Sequence, residues 1–316
     1  MNVIHLKYPH QLAQEIEKEA YSLAIGFFDG VHKGHQAVIE AAKQKAEQLN
    51  IKSAVMTFDP HPSIVLGRRN EKVFYITPLS QKLDTLKKLN IDTVFVVNFT
   101  SDFAKLTPEE FIKYFIVDLN VQHVTAGFDF SFGSYGKGNM ELMEQLSNGR
   151  YGVTAIEKQQ DVVEKISSTR IRKALQDGEM EQARNLLGRA FEVPGIVVHG
   201  DKRGRTMGFP TANVQAMEGC YIPATGVYAV KILVQNKWYD GVCNVGYKPT
   251  FNNPEEKQLS IEVHILNFNK NIYGEEVVVG WYKRIRSERK FNGIEALIEQ
   301  IELDKQQAIA YFEQLR

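Results

Sequence analysis

Near residue 187 the chain changes rhythm, and no other feature narrows its possible folds so far. Up to Leu187, short apolar runs alternate with segments of helical spacing. Ser22–Phe28, Ser53–Phe58, Thr93–Asn98 and Val121–Ala126 read as strands, each apolar along its length. Helices fall between them at Gln36–Leu49, from Leu79 through Leu83 and Leu86 to Leu89, and from Thr107 to about Asp118. Asn50 closes the first helix, Thr77-Pro78 reads as an N-cap followed by proline at the first helical position, and Thr107 with Glu110 forms a capping box. Strands spaced by helices imply an α/β domain with a parallel sheet, right-handed crossovers and helices on both faces.

Beyond that point the strand candidates crowd together: Phe191–Val198, Val227–Val234, Trp238–Val245, Leu259–Leu266 and Val277–Trp281. Turn residues separate them, among them Gly200, Gly226, Asn236, Asn252-Asn253-Pro254, Asn267 and Gly274. That texture predicts a small antiparallel β-barrel. Ile294–Leu315 places Ile294, Leu297, Ile301, Ala308, Phe312 and Leu315 on one face, a long C-terminal helix expected to pack on the barrel. The border is expected near Leu187 to Arg189, giving domains 1–187 and 188–316, in line with the two units that a length of 316 residues predicts.

Lys+Arg 38 against Asp+Glu 38 leaves no net charge, so the broad positive field of a nucleic-acid binder is missing. Two cysteines without a C-x-x-C spacing make a disulfide framework or a cysteine zinc site improbable. No run approaches the ~18 apolar residues of a membrane span, and the N-terminus lacks an apolar signal core. A cytoplasmic protein without nucleic-acid, membrane or obligate protein partner is expected.

The first chemical constellation follows the first strand. Gly26-Phe27-Phe28-Asp29-Gly30 leads to Val31-His32-Lys33-Gly34-His35, and a helix begins at once. A helix start offers unpaired N–H groups and a partial positive charge to an anion. His32 and His35 project to one side, and Gly34 leaves room for a phosphate, so the turn can hold a triphosphate with Gly26, Phe28 and Asp29 around it. The competing reading is a pair of histidines that merely flank a helix; a two-histidine metal site lacks a third ligand at a recognisable spacing. The His-x-Gly-His turn resembles the signature of the α/β nucleotidylyltransferases. In that superfamily a later Ser/Thr/basic cluster opens a helix against the phosphates. Here Lys165-Ile-Ser-Ser-Thr-Arg-Ile-Arg172 stands in that place, with Ser168, Thr169 and Arg172 as a pyrophosphate clamp, or else as an N-cap with surface arginines. Between them Gly127-Phe-Asp-Phe-Ser-Phe-Gly133 offers Phe128, Asp129 and Phe130 to a flat heterocycle, unless these are core aromatics of a continuing strand.

The second constellation is Gly200-Asp-Lys-Arg-Gly-Arg-Thr-Met-Gly-Phe-Pro-Thr-Ala-Asn213. Its spacing fits neither a P-loop nor a dinucleotide fingerprint. Gly204 and Gly208 beside Lys202, Arg203 and Arg205 could still form a phosphate-binding backbone nest. Thr211 and Asn213 offer neutral oxygens of the kind that suit Mg²⁺ carried on ATP. Glu262, alternating with Ile261, Val263 and Ile265, is expected to look into the barrel mouth and take a proton from a hydroxyl, unless it is an exposed strand glutamate. Arg284, Arg286, Arg289 and Lys290 read as a solvated loop.

Taken together the chain resembles the bifunctional prokaryotic riboflavin kinases/FMN adenylyltransferases along nearly its whole length. The carriers are the motifs above with Thr57-Phe-Asp-Pro-His-Pro62, Gly226-Val-Tyr228, Asn244-Val-Gly246 and Ile261-Glu-Val263. The resemblance implies an N-terminal nucleotidylyltransferase (Rossmann-like) domain that joins FMN and ATP into FAD and pyrophosphate. It implies a C-terminal barrel that phosphorylates riboflavin to FMN with MgATP. By that likeness His32 and His35 stabilise the α-phosphate, Ser168, Thr169 and Arg172 hold its β/γ end, and Phe128, Asp129 and Phe130 line the flavin or nucleotide pocket. Thr211 and Asn213 hold Mg²⁺ and phosphate, and Glu262 is the base. Lys165 stands where relatives can carry arginine. Two rivals remain: another nucleotidylyltransferase with an unrelated barrel, and a flavin or nucleotide sensor whose barrel only binds.

Overall fold

The computed structural model describes residues 1–10, 19–67, 73–157, 165–200, 204, 207–249 and 257–315. Its contacts divide the chain into two compact units, 1–73 with 77–167 and 168–316 with 74–76.

In the first unit the order is β1 (Asn2–Lys7), β2 (Tyr21–Ile25), α1 (Lys33–Leu49), β3 (Lys52–Asp59), α2 (Leu79–Lys88), β4 (Thr93–Asn98), α3 (Pro108–Ile112), β5 (Val121–Gly127), α4 (Met140–Gln145) and β6 (Gly152–Ile156). The six strands pair in parallel in the order β1-β4-β3-β2-β5-β6. Alternate residues of the central strands enter separate cores. Leu23, Ile25, Met56, Phe58, Phe95 and Val97 pack with the aromatic side chains of Phe103, Phe111 and Phe115. Ala24, Val55, Val94 and Val96 pack under Val38, Ile39 and Ala42 of α1 and Leu86 of α2. Burial on both faces is why these strands read as unbroken apolar runs. Asn50 closes α1 in the left-handed region, and Thr107 with Glu110 forms the expected capping box.

Three expectations are corrected here. The first apolar run ends as a strand at Ile25, because the chain turns sharply from Gly26. Thr77 does not cap α2: Pro78 holds that position without a side-chain cap, and the Thr77 N–H donates to Asp29 instead. The edge strands β1 and β6 add to the four expected.

The second unit opens with α5 (Ser168–Asp177) and α6 (Met180–Leu187), which Gly188 closes in the left-handed conformation. A barrel of β7 (Phe191–Val198), β8 (Ala212–Ala216), β9 (Gly226–Val234), β10 (Lys237–Pro249), β11 (Lys257–Ile265) and β12 (Glu276–Arg286) follows, then α7 (Ile294–Gln314). The barrel closes in the order β10-β11-β8-β7-β12-β9, with every pair antiparallel. Tyr228, Cys243 and Val263, with Val245 and Ile261, are buried in register, and Trp281 packs edge-on against Tyr228; together they fill its interior. Val227, Ala229 and Val242, on the other face, lie beneath Ala308 and Phe312 of α7.

The residues of α7 that are buried are Gln300, Asp304, Ala308 and Phe312, four apart, whereas Ile294 and Leu315 are exposed. Polar residues share this face because Asp304 accepts from Arg286 through Nε (2.9 Å) and Nη2 (2.7 Å), and Gln300 braces the same carboxylate at 2.7 Å. Arg284 donates through Nη2 to the Thr225 carbonyl. Arg284 and Arg286 therefore belong to the strand and its packing, not to a solvated loop. The turn expected at Asn252–Pro254 lies outside the described residues.

Candidate functional sites

In the first unit the strand order reverses between β2 and β5, since the chain runs from β2 outward to β3 and β4 and then returns to β5 on the other side. Open parallel sheets form their binding crevice at the carboxyl ends of the strands at such a switch. Gly26 follows β2 there, and Gly127 ends β5.

The turn after β2 is strained. Phe28 (φ 52°) and Val31 (φ 41°) both adopt positive φ, alongside Gly30 (φ 89°). For a β-branched residue this is a rare conformation, held here by burial, since Val31 is 0% and Phe28 3% exposed. A β-carbon at Gly26 would lie 2.9 Å from the Phe28 ring, so the missing side chain lets that ring fold back. Asp29 is fixed by the Thr77 N–H at 3.1 Å.

His32 caps α1. Its Nδ1 accepts the His35 N–H at 3.2 Å, which places the proton of the neutral ring on Nε2. The His32 and His35 rings stack with centroids 3.5 Å apart. Burial first, then the charges of His32, Lys82 and Lys165, holds the His35 pKa well below the ordinary histidine value. Its Nδ1 is buried with no hydrogen-bond partner among the described residues. A side chain at Gly34 would press on the His32 ring (3.1 Å) and approach the Ile166 carbonyl (3.6 Å), so this glycine secures the imidazole's seat. The result is a stacked imidazole pair at a helix N-terminus, the end of a helix that favours an anion.

The loop after β5 divides its aromatics. Phe132 is buried against Phe111, as a core residue would be, Phe130 is half-buried, and Phe128 and Asp129 are exposed. Lys165 links the last two, with Nζ 2.5 Å from Asp129 Oδ2 and 5.2 Å from the Phe128 ring centroid. Ser168 and Thr169 form the first turn of α5; Ser168 and Arg172 are half-buried, Thr169 exposed. These residues belong to the second compact unit and the histidines to the first.

On the barrel, register carries the site. Glu262 of β11 stands opposite Asn213 of β8 on one side and Asn244 of β10 on the other. Directly opposed residues share a face, so the three side chains form one row. That row continues to Val227, which lies on the face covered by α7. Glu262 therefore projects from the outer face of the barrel; the expectation that it looks inward is corrected, because Ile261 and Val263 occupy the interior. Gly200 is packed so tightly on the Asn213 amide that a β-carbon there would displace it. Gly204 turns the preceding loop, its carbonyl accepting from Met207 (3.2 Å) and Phe209 (2.8 Å), and Gly208 (φ 86°) continues the turn toward Thr211. Lys202, Arg203 and Arg205 lie outside the described residues.

Three side chains near these sites escape sequence reasoning. His264, two residues from Glu262 on the same face, contacts the Pro210 carbonyl at 2.9 Å and so ties the loop before Thr211 to β11. The Glu288 carboxylate rests on Gly246 beside Asn244. Lys82, on α2, is 2% exposed beneath the Gly26–Val31 turn. Only the pairing of distant strands, or the packing of a helix, brings each of them into place.

Among the described residues no group of three His, Cys, Asp or Glu could hold a metal unaided. The hydroxyl of Thr211 and the amide of Asn213, neutral oxygen donors beside a carboxylate, fit a Mg²⁺ that arrives with its other ligands on a polyphosphate.

Comparison with known proteins shows the family to which the chain belongs. A family model described as FAD synthetase matches residues 14–170, and one described as riboflavin kinase matches residues 187–312. The bifunctional riboflavin kinase/FMN adenylyltransferase of Bacillus subtilis is 53% identical over 316 residues, covering 100% of both chains. The chain belongs to this family. The Listeria monocytogenes relative of the same description is 49% identical over 93% of each chain, and that of Escherichia coli 36% over 96% of each. A crystal structure described as a macrolide-efflux protein from Streptococcus pneumoniae superposes with a TM-score of 0.87 at 34% identity, covering 97% of this chain and 98% of that one. No described helix here is long and apolar enough to cross a membrane. The chain is thus a transferase of flavin-nucleotide synthesis, with an adenylyltransferase sheet domain and a kinase barrel.

Proposed function

We propose that the two constellations catalyse consecutive ATP-dependent steps on one flavin, with the border between activities at Leu187/Gly188. In the barrel, the riboflavin 5′-hydroxyl attacks the γ-phosphorus of ATP, ADP leaves, and Glu262 takes the hydroxyl proton. Mg²⁺ bound with ATP would neutralise the phosphate charge; Thr211 and Asn213 are the residues that would hold it. Gly204 and Gly208 shape the loop that presents Thr211. In the sheet domain an FMN phosphate oxygen attacks the α-phosphorus of a second ATP and pyrophosphate leaves. His32 and His35 donate to the α-phosphate as its charge grows, and the turn containing Gly26, Phe28, Asp29 and Gly34 holds them there. Ser168, Thr169 and Arg172 are assigned the β/γ-phosphates, and Phe128, Asp129 and Phe130 the flavin. Both steps depend on positioning and charge stabilisation more than on covalent chemistry. Two free, buried cysteines, Cys220 and Cys243, favour a reducing, cytoplasmic setting.

The observation that carries the adenylyl-transfer reading is the stacked imidazole pair capping α1 at the switch point of the sheet. Incubation with riboflavin and MgATP, followed by chromatography, tests the whole: FMN and then FAD should appear. Absence of both would overturn it.

A further inference from the structure

Lysine is almost never fully buried unless something compensates its charge. Lys82 is nonetheless 2% exposed, in the second turn of α2. Its Nζ donates to the Phe27 carbonyl at 2.7 Å and to Thr57 Oγ1 at 3.0 Å, and lies 4.5 Å from the Phe27 ring centroid. Thr57 Oγ1 itself donates to the Phe27 carbonyl at 2.9 Å. Two donors therefore converge on a single backbone oxygen, at the point where the chain leaves β2 for the strained turn. Asp29 and Asp59 are the carboxylates that favour the ammonium; His35, with His32 stacked on it and Lys165 beyond, feels its positive charge. Burial outweighs the carboxylates and brings the Lys82 pKa down to about 8.

A leucine or methionine would fill this place without the cost of desolvating a cation. The position's chemistry makes sense if the charge and the hydrogen bond to Phe27 serve the turn above it. We propose that Lys82 is a positioning residue for adenylyl transfer: its buried ammonium pins the Phe27 carbonyl, holds the turn that presents His32 and His35, and adds positive charge beneath the phosphate site. This rests on the adenylyltransferase reading of the sheet domain. The charge is present below about pH 8 and lost above it; the neutral amine can still donate to Phe27, so what falls as pH rises is the positive charge beneath the phosphate site and the charge-assisted strength of that bond.

The test measures FAD formation from FMN and MgATP across pH 6–10 in the full-length enzyme, with FMN formation from riboflavin followed in the same preparations. Wild-type FAD formation should fall as pH rises through about 8. Lys82→Met should lower kcat about 100-fold, the scale of a site misplaced by about an ångström, while the kinase rate stays at wild type. Lys82→Arg, which keeps its charge at every pH used, should recover most of the rate and lose the alkaline limb. Folded Lys82→Met with wild-type kcat, or an unchanged limb in Lys82→Arg, would overturn the proposal. Should Lys82→Met fail to fold, Thr57→Val carries the test: it removes one acceptor from the ammonium, so the limb should move to lower pH, and an unmoved limb contradicts the role. A wild type that makes FMN but no FAD would instead defeat the adenylyltransferase reading itself.

Discussion

The two sites are built in opposite ways. In the sheet domain the proposed α-phosphate donors come from one stretch of ten residues, Gly26–His35, and distant parts of the fold hold that stretch in its strained conformation: Thr57, Thr77 and Lys82 all bond to it. On the barrel no local stretch suffices. Asn213, Glu262 and Asn244 stand on three strands, and only the register of the ladder aligns them. The first site stores strain in a turn; the second stores its geometry in strand pairing. A local motif can be read from sequence whole, whereas a register-built site is visible there only in fragments.

This contrast yields predictions that would separate the two sites or merge them. His32→Ala should lower FAD formation by ~10²–10³-fold or more, the loss seen when a preorganised donor to a developing oxyanion is removed. FMN should still accumulate from riboflavin; parallel loss of both activities in a folded variant would contradict separate sites. Glu262→Gln should cut FMN formation by ~10²–10⁴-fold, the usual contribution of a general base. Added FMN should still become FAD at the wild-type rate, and a retained kinase rate would remove Glu262 from its role.

A third prediction concerns stability. Asp304→Ala strands Arg286, whose side chain is only 19% exposed, against α7. Breaking a buried pair in this way costs about 3 kcal/mol, at the lower end of the range because Arg286 keeps some contact with water. Denaturant unfolding followed on the barrel tryptophans, Trp238 and Trp281, would register it. A loss under about 0.5 kcal/mol would mean the pair behaves as an ordinary surface bridge.

Gly200→Ala makes a smaller and more specific change. A β-carbon there displaces the Asn213 amide, so the kinase KM for MgATP should rise about tenfold, the order of one lost hydrogen bond, while adenylyl transfer is untouched. The mildest effect is on pH. His35 is held neutral well below the ordinary histidine value, chiefly by burial, so its contribution to folding is complete above that value and is lost progressively as pH falls from there through the lowered folded value, while the ring in the folded site stays neutral through pH 6.5. FAD formation should therefore pass through pH 6.5 without an inflection from this residue; an inflection there that His35→Asn abolishes would contradict the burial argument.

What could be read in the sequence follows the same division. The central strands were legible because both faces are buried and the apolar run is unbroken. Edge strand β1 has one buried residue, Leu6, and β6 has none, so neither shows such a run. Strand β8 is short and polar at alternate positions, and it carries Asn213; with its partner strands hidden, the direction in which Glu262 points could not be inferred. Lys82 and Asp304 look like ordinary surface charges of amphipathic helices, and only packing shows that they are buried. Thr77-Pro78 illustrates a competition between local and distant partners: the threonine suits a cap, but Asp29 engages its backbone first.

The most direct test of two independent sites in one chain is to mix the single variants. His32→Ala and Glu262→Gln, each expected to convert riboflavin to FAD at least about a hundredfold more slowly alone, are combined with riboflavin and MgATP, and FAD is quantified over time. If each variant retains the other's missing step, the mixture makes FAD from FMN released by His32→Ala. A mixture of folded variants that makes FAD no faster than either variant alone would contradict the division of labour between sheet and barrel.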